Sequence, residues 1–186
     1  MKTNENPGNA LLSPVRRQLL GAVAVLVGGL GLGARLRAEG EGEVSHTSEA
    51  IHQEIIFNAS RKKVYEALTV TSQFQKVIDN SAAMKAMALA NKPAEISQEL
   101  GGAFSVFGGH IVGRQLELVP GQRIVQAWRV ADWEPGIFSI AHFELLEQTA
   151  TTKMVFDHTG FPGGQGAHLA EGWRVNYWQP LAKVLV

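Results

Sequence analysis

Two side chains near the end of the sequence carry residue types suited to acid–base chemistry. Residues 137–147 and 151–159 read as an antiparallel hairpin. A turn centred on Thr149 and Ala150 sets Phe143 opposite Phe156, Leu145 opposite Met154 and His142 opposite Asp157. An imidazole beside a carboxylate is the arrangement of a general base and its orienting partner. A slip of one residue would set His142 opposite His158 instead. The same pairs also serve as ordinary cross-strand contacts that stabilise a sheet. Zinc or iron requires three or four converging ligands, and the pattern gathers only this small group, so no metal and no cofactor are expected.

A second constellation is aromatic. Trp128, Trp133, Trp173, Tyr177 and Trp178 supply five large rings. Trp128 shares a strand face with Ile124, Gln126 and Val130, and Trp173 and Tyr177 lie on one helix face. Such rings can simply fill a core. They can also wall an apolar pocket in which a few polar groups fix a small molecule. On that reading Trp128, Phe143, Trp173 and Tyr177 are the wall, and Gln126, His142 and Asn176 are the polar groups. A cyclase or hydrolase working in the same cavity would use His142 as base and Asp157 as its partner, provided both face inward.

The elements that must position these residues follow from periodicity. Ile51, Gln53, Ile55 and Phe57 alternate as one strand face, and Asn58 or Ser60 can cap a helix whose inward stripe is Val64, Tyr65 and Leu68. A second short helix opens at Thr71 or Ser72. Residues 79–93 are rich in Ala and Met and end at Pro93; they read either as a lid carrying Met84 and Met87 or as a surface helix. Strands punctuated by glycine follow: 95–100, 103–107, 110–119 and 123–130, then a loop over 131–136 and the hairpin. The pairs Gly101-Gly102 and Gly108-Gly109 join strands and lack a following Gly-Lys-Ser/Thr, so they are turns rather than phosphate loops. Gly163-Gly164-Gln165-Gly166 stands before a helix N-terminus, a place that can hold an anion. In the last helix Leu169, Trp173, Tyr177, Leu181 and Val184 recur on one face, and Pro180 inside it predicts a kink.

Several segments together resemble the activator of heat shock protein 90 ATPase homologue family: GGAF at Gly101 to Phe104, ELVP followed by RIVQAWR from Glu117 to Arg129, FDHTGFP from Phe156 to Pro162, and YWQPL from Tyr177 to Leu181. The resemblance covers residues 51–185. It implies an α+β fold of the helix-grip (START/Bet v1-like, SRPBCC) kind, in which a curved antiparallel sheet wraps a long C-terminal helix and leaves a cavity between them. It also implies two functional classes, a carrier of a small hydrophobic molecule and a chaperone-activator-like protein-binding module.

Charge and composition narrow the setting. The chain has 186 residues, 17 basic against 17 acidic, and no cysteine, which excludes disulfides and thiolate chemistry. Five basic groups and one acid fall in residues 1–38, leaving the rest with 12 basic and 16 acidic groups, a net charge of −4. A mildly acidic body without a basic cluster does not suit nucleic acid. Arg16-Arg17, a weakly apolar glycine-containing run from Leu19 to Ala34, and then Arg35 and Arg37 resemble a twin-arginine export signal. The expected organisation is therefore a signal over 1–38, a flexible polar linker over 39–50 and one domain over 51–186. The twin-arginine translocase would be a transient partner, the destination the periplasm or the exterior, and an uncut signal a membrane tether.

Overall fold

A computed structural model of the chain describes residues 49–82, 84 and 92–186. The expected export signal, most of the linker, and residues 83 and 85–91 of the Ala/Met-rich segment, Met87 among them, lie outside the described residues.

Seven strands form one antiparallel sheet: β1 (Ala50–Phe57), β2 (Glu95–Ile96), β3 (Ala103–Val106), β4 (Ile111–Val119), β5 (Arg123–Val130), β6 (Ser139–Glu147) and β7 (Thr152–Thr159), in the order β1-β7-β6-β5-β4-β3-β2. Two short helices, α1 (Arg61–Thr69) and α2 (Thr71–Asp79), follow β1. Ser60 caps α1, its hydroxyl accepting from the Lys63 amide at 3.4 Å, as the sequence leads one to expect. The C-terminal helix comprises α3 (Gly166–Trp173), a π-helical turn (Arg174–Trp178) and α4 (Gln179–Val184). This is the α+β helix-grip architecture.

The final hairpin has the register that the turn residues imply: Phe143 faces Phe156, Leu145 faces Met154 and His142 faces Asp157. Strand alternation then sorts the side chains. Ser139, Ala141, Phe143 and Leu145 point into the core with Thr152, Met154, Phe156 and His158, while the residues between them face solvent. Gly113 sits opposite Trp128 on the inner face. A Cβ there would lie 2.1 Å from the Ala127 carbonyl oxygen and 2.4 Å from the Phe104 ring, so only glycine lets Phe104 cross that position. The expected strand over 95–100 is only two residues long. Its remainder is a turn in which Gly101 takes a left-handed φ of 76° and Ser97 accepts from the Glu99 amide.

The kink expected from Pro180 takes the form of the π-turn that precedes it. Proline has no N–H for the carbonyl four residues back, and its ring crowds that carbonyl; the wider turn from Arg174 to Trp178 relieves both. The extra residue also changes the phase of the helix. At about 3.6 residues per turn, positions five apart diverge on an α-helix. Here Trp173 and Trp178 stack with centroids 5.3 Å apart and planes 15° from parallel. Trp173, Tyr177 and Trp178 are consequently all buried. Trp178 reaches the first strand, its Nε1–H donating to Gln53 Oε1 at 2.5 Å, and Gln53 Nε2 donates to the Ala170 carbonyl at 3.0 Å.

Candidate functional site

Between the concave face of the sheet and α3 with its π-turn lies a cavity of about 620 Å³, within the range of small-molecule sites. Trp128 and Val130 of β5, Ile111 at the start of β4, and Leu169, Trp173 and Tyr177 of the C-terminal helix form its apolar wall. Trp133, from the β5–β6 loop, closes one side. Its Nε1–H donates to Gln165 Oε1 at 3.0 Å, tying that loop to the turn before α3. Phe107 contributes its ring from the β3–β4 turn with a φ of 52°, the left-handed region that bulky side chains avoid. The ring meets Tyr177 at 5.0 Å and Phe74 at 5.8 Å. Met84 is buried against the same cavity. The polar rim consists of exposed His110, Asp132 and His168, with half-buried Gln165 and Asn176. Ser81 Oγ donates to Asn176 Oδ1 at 2.8 Å.

Behind the wall, His158 is fully buried and its tautomer is fixed by its partners. Trp173 Nε1–H donates to Nδ1 at 3.0 Å, so Nδ1 carries the lone pair and Nε2 the proton. Nε2 lies 2.7 Å from Ser139 Oγ, which donates in turn to the Trp128 carbonyl at 2.8 Å. The chain Trp173–His158–Ser139–Trp128 is thus satisfied at every atom by a neutral imidazole. Burial lowers the His158 pKa from 6.5 to about 4. Burial also pushes the Tyr177 hydroxyl well above the ordinary phenol range. The neighbouring Trp128 N–H acts in the opposite, smaller sense.

The residues singled out in the sequence divide into three places. Trp128, Trp173, Asn176 and Tyr177 line the large cavity. Gln126 and Phe143 instead face a small crevice of about 20 Å³, for which Tyr177 is the shared wall. Gln126 lines that crevice and not the large cavity, and one N–H of its amide donates to Gln115 Oε1 at 3.2 Å inside the core. His142 and Asp157 lie on the outer, solvated face, since each falls on the side of its strand opposite to that of Phe143 and Phe156. The register places them opposite each other, but the imidazole that engages Asp157 is His52, with Nδ1 to Oδ1 at 2.7 Å, and His142 Nε2 is 3.7 Å from Glu144. The arrangement of a general base in the cavity is therefore not formed by these two residues, and no metal-binding cluster occurs among the described residues. Phe107 is a cavity residue not named from sequence, while Trp133 was named only among the five rings and His158 only as the partner of His142 in a slipped register. His158 was within reach, because it shares parity with Met154 and Phe156.

The glycine loop before α3 does hold an anion, and it belongs to the chain itself. The Glu49 carboxylate accepts from the Gly164 amide at 2.7 Å and the Gly166 amide at 2.8 Å, the donors that a helix start leaves unpaired.

With this geometry, comparison with known proteins identifies relatives. The family described as Activator of Hsp90 ATPase homolog 1-like protein matches residues 58–186. The mouse activator of 90 kDa heat shock protein ATPase homolog 2 is 23% identical over 136 residues, covering 73% of this chain and 38% of the mouse protein. The chain thus spans less than half the length of that relative. Among solved structures, an HSP90 activator from Plasmodium falciparum superposes with a TM-score of 0.64 at 22% identity, covering 73% of this chain and 95% of that one. CalU16 from Micromonospora echinospora superposes with a TM-score of 0.58 at 17% identity, covering 74% and 76%.

Proposed function

The chain belongs to the Activator of Hsp90 ATPase homolog 1-like family, and from that premise we propose that it is a START-like domain that binds a small hydrophobic molecule in the cavity between sheet and C-terminal helix. The observation that carries this reading is the cavity of about 620 Å³ walled by Trp128, Trp133, Trp173 and Tyr177. Affinity would come from apolar surface removed from water, at about 25 cal/mol per Å² before the costs of association. The acid–base pair considered from sequence faces solvent, which favours a carrier or sensor over a cyclase or hydrolase built on His142.

The proposal extends to the protein's address. Arg16-Arg17 and the apolar run after them support export of the folded domain by the twin-arginine translocase to the periplasm or beyond, with a membrane tether if the signal is retained. A domain that folds before export can leave with its ligand already bound.

One observation favours a second reading, a protein-binding module of the kind that the relatives' names describe. Ile137, Phe138 and Ile140 are apolar and 37–45% exposed at the start of β6. Native mass spectrometry of the chain purified from its own host, with organic extraction of whatever is bound, separates the two. A stoichiometric hydrophobic adduct that disappears in Trp173→Ala is the expected result. A clean apo mass that persists after incubation with lipid and aromatic extracts would overturn the carrier reading and leave the exposed β6 patch as the surface to pursue.

A further inference from the structure

Two voids lie against the C-terminal helix, and one side chain separates them. Tyr177 forms part of the wall of the large cavity. Across the same ring lies the small crevice, lined by Leu68, Phe74, Ile96, Ile124 and Phe143 with Gln126 as its polar group. Among the described residues Tyr177 alone lines both voids. The surface beyond it is almost wholly apolar, so a hydrocarbon chain that passed Tyr177 would find a continuing place out of water.

The ring is braced from both sides. Tyr177 is buried, with its centroid 4.2 Å from that of Trp173, 5.0 Å from Phe107 and 5.7 Å from Phe74, and its hydroxyl stands beside the Trp128 indole N–H. Phe107 belongs to the large cavity and Phe74 to the crevice. Two uncommon backbone features meet here. Phe107 holds its ring against Tyr177 from a left-handed φ of 52°, and Tyr177 itself lies in the π-turn from Arg174 to Trp178. Each feature costs stability, and each is found preferentially at functional sites.

We infer that Tyr177 is a specificity-determining residue: its ring closes the inner end of the cavity, limits how deep an apolar ligand can enter, and selects a compact molecule over one with a long acyl chain. The inference rests on the cavity being a ligand site, as proposed above. A pocket that keeps accepting a growing hydrocarbon chain gains about fourfold in affinity with each methylene buried. Further apolar surface, toward Phe74 and Phe143, lies on the far side of the Tyr177 ring. A phenol fixed at that point removes the gain for every carbon beyond the depth of the cavity. Long chains then lose their advantage over short or ring-shaped molecules.

The test is a series of straight-chain alkanols from hexanol to dodecanol, each titrated calorimetrically into the full 186-residue chain. The indole N–H resonance of Trp133, a cavity residue, is followed in ¹⁵N-labelled protein to show that binding is in the cavity. In the wild type, affinity should rise about fourfold per carbon and then level off within the series. Tyr177→Ala should extend the rise by two or more carbons, an added gain of about tenfold or more in affinity for the longest alkanol. Tyr177→Phe keeps the ring and should level off where the wild type does. Levelling off at one length in both wild type and Tyr177→Ala overturns the inference while the cavity reading stands, as does a wild-type rise that never levels off. Binding that leaves the Trp133 resonance unmoved, or no binding at all, overturns both. Should Tyr177→Ala fail to fold, Tyr177→Leu takes its place, with a smaller extension expected and none overturning the inference.

Discussion

Trp173 Nε1–H points at His158 Nδ1 from 3.0 Å, so the imidazole cannot take a second proton without setting two donors against each other. The folded-state pKa of about 4 lies below the ordinary 6.5, and the unfolded chain therefore binds more protons between those values. Stability from this group is complete above about pH 6.5, falls as pH drops and is lost by about pH 4, amounting to about 3 kcal/mol at ~1.4 kcal/mol per pKa unit. Urea unfolding across that window should show the slope in the wild-type chain and a much flatter profile in His158→Gln. An unchanged slope in the variant would assign the acid sensitivity to other groups.

Removing the outer-face pair should do little. His52 and Asp157 have side chains 59% and 42% exposed, where an ion pair contributes about 0–1 kcal/mol. His52→Ala, His142→Ala and Asp157→Asn should each leave the melting temperature within a few degrees of wild type, and leave the hydrophobic adduct seen by native mass spectrometry in place. Loss of binding in His142→Ala would show that the outer face communicates with the cavity.

Gly113→Ala is expected to be far more disruptive than its size suggests. The added carbon meets both a backbone oxygen and the Phe104 ring, and the Ala127 carbonyl cannot retreat without opening the β4–β5 pairing beside Trp128. A destabilisation of about 3 kcal/mol or more follows, readable by chemical denaturation. A combined Gly113→Ala/Phe104→Leu variant should recover part of it.

Glu49→Gln removes the negative charge from the N-terminus of α3 and should cost about 1 kcal/mol. Hydrogen exchange gives a local readout: the Gly164 and Gly166 amides, now bonded to that carboxylate, should lose protection while core amides of β6 and β7 keep theirs. Equal protection in both proteins would show that the clasp contributes nothing to holding the loop.

Much of this architecture was legible in the sequence because strand alternation and hairpin register are local rules. The pairing of Phe143 with Phe156 follows from turn position alone, and the same rule fixes the parity that buries His158 and exposes His142. Side-chain direction within the final helix was harder to read. The spacing of Leu169, Trp173, Tyr177 and Leu181 suits a regular helix, and Pro180 announces an irregularity without specifying its form. Only the π-turn explains how Trp178 is buried together with Trp173. The clasp of Glu49 on the glycine loop joins positions 115 and 117 residues apart, and no local pattern encodes such a contact. The separation of Gln126 from the large cavity likewise depends on where the Tyr177 ring falls, a matter of packing rather than periodicity.

The placement of β1 has a consequence for how the molecule is made. This strand lies at the edge of the sheet, and its sole strand partner is β7, with His52 and Asp157, one pair of that ladder, 105 residues apart in sequence. Loops of that length close slowly. Among the described strands β1 leaves the ribosome first and therefore waits, unpaired, until β7 has been synthesised. The helix that walls the cavity is held to β1 through Gln53, so the cavity too depends on this long-range pairing. A nascent chain stalled before Thr152 should expose β1 to protease, and release of the full-length chain should be the event that protects it.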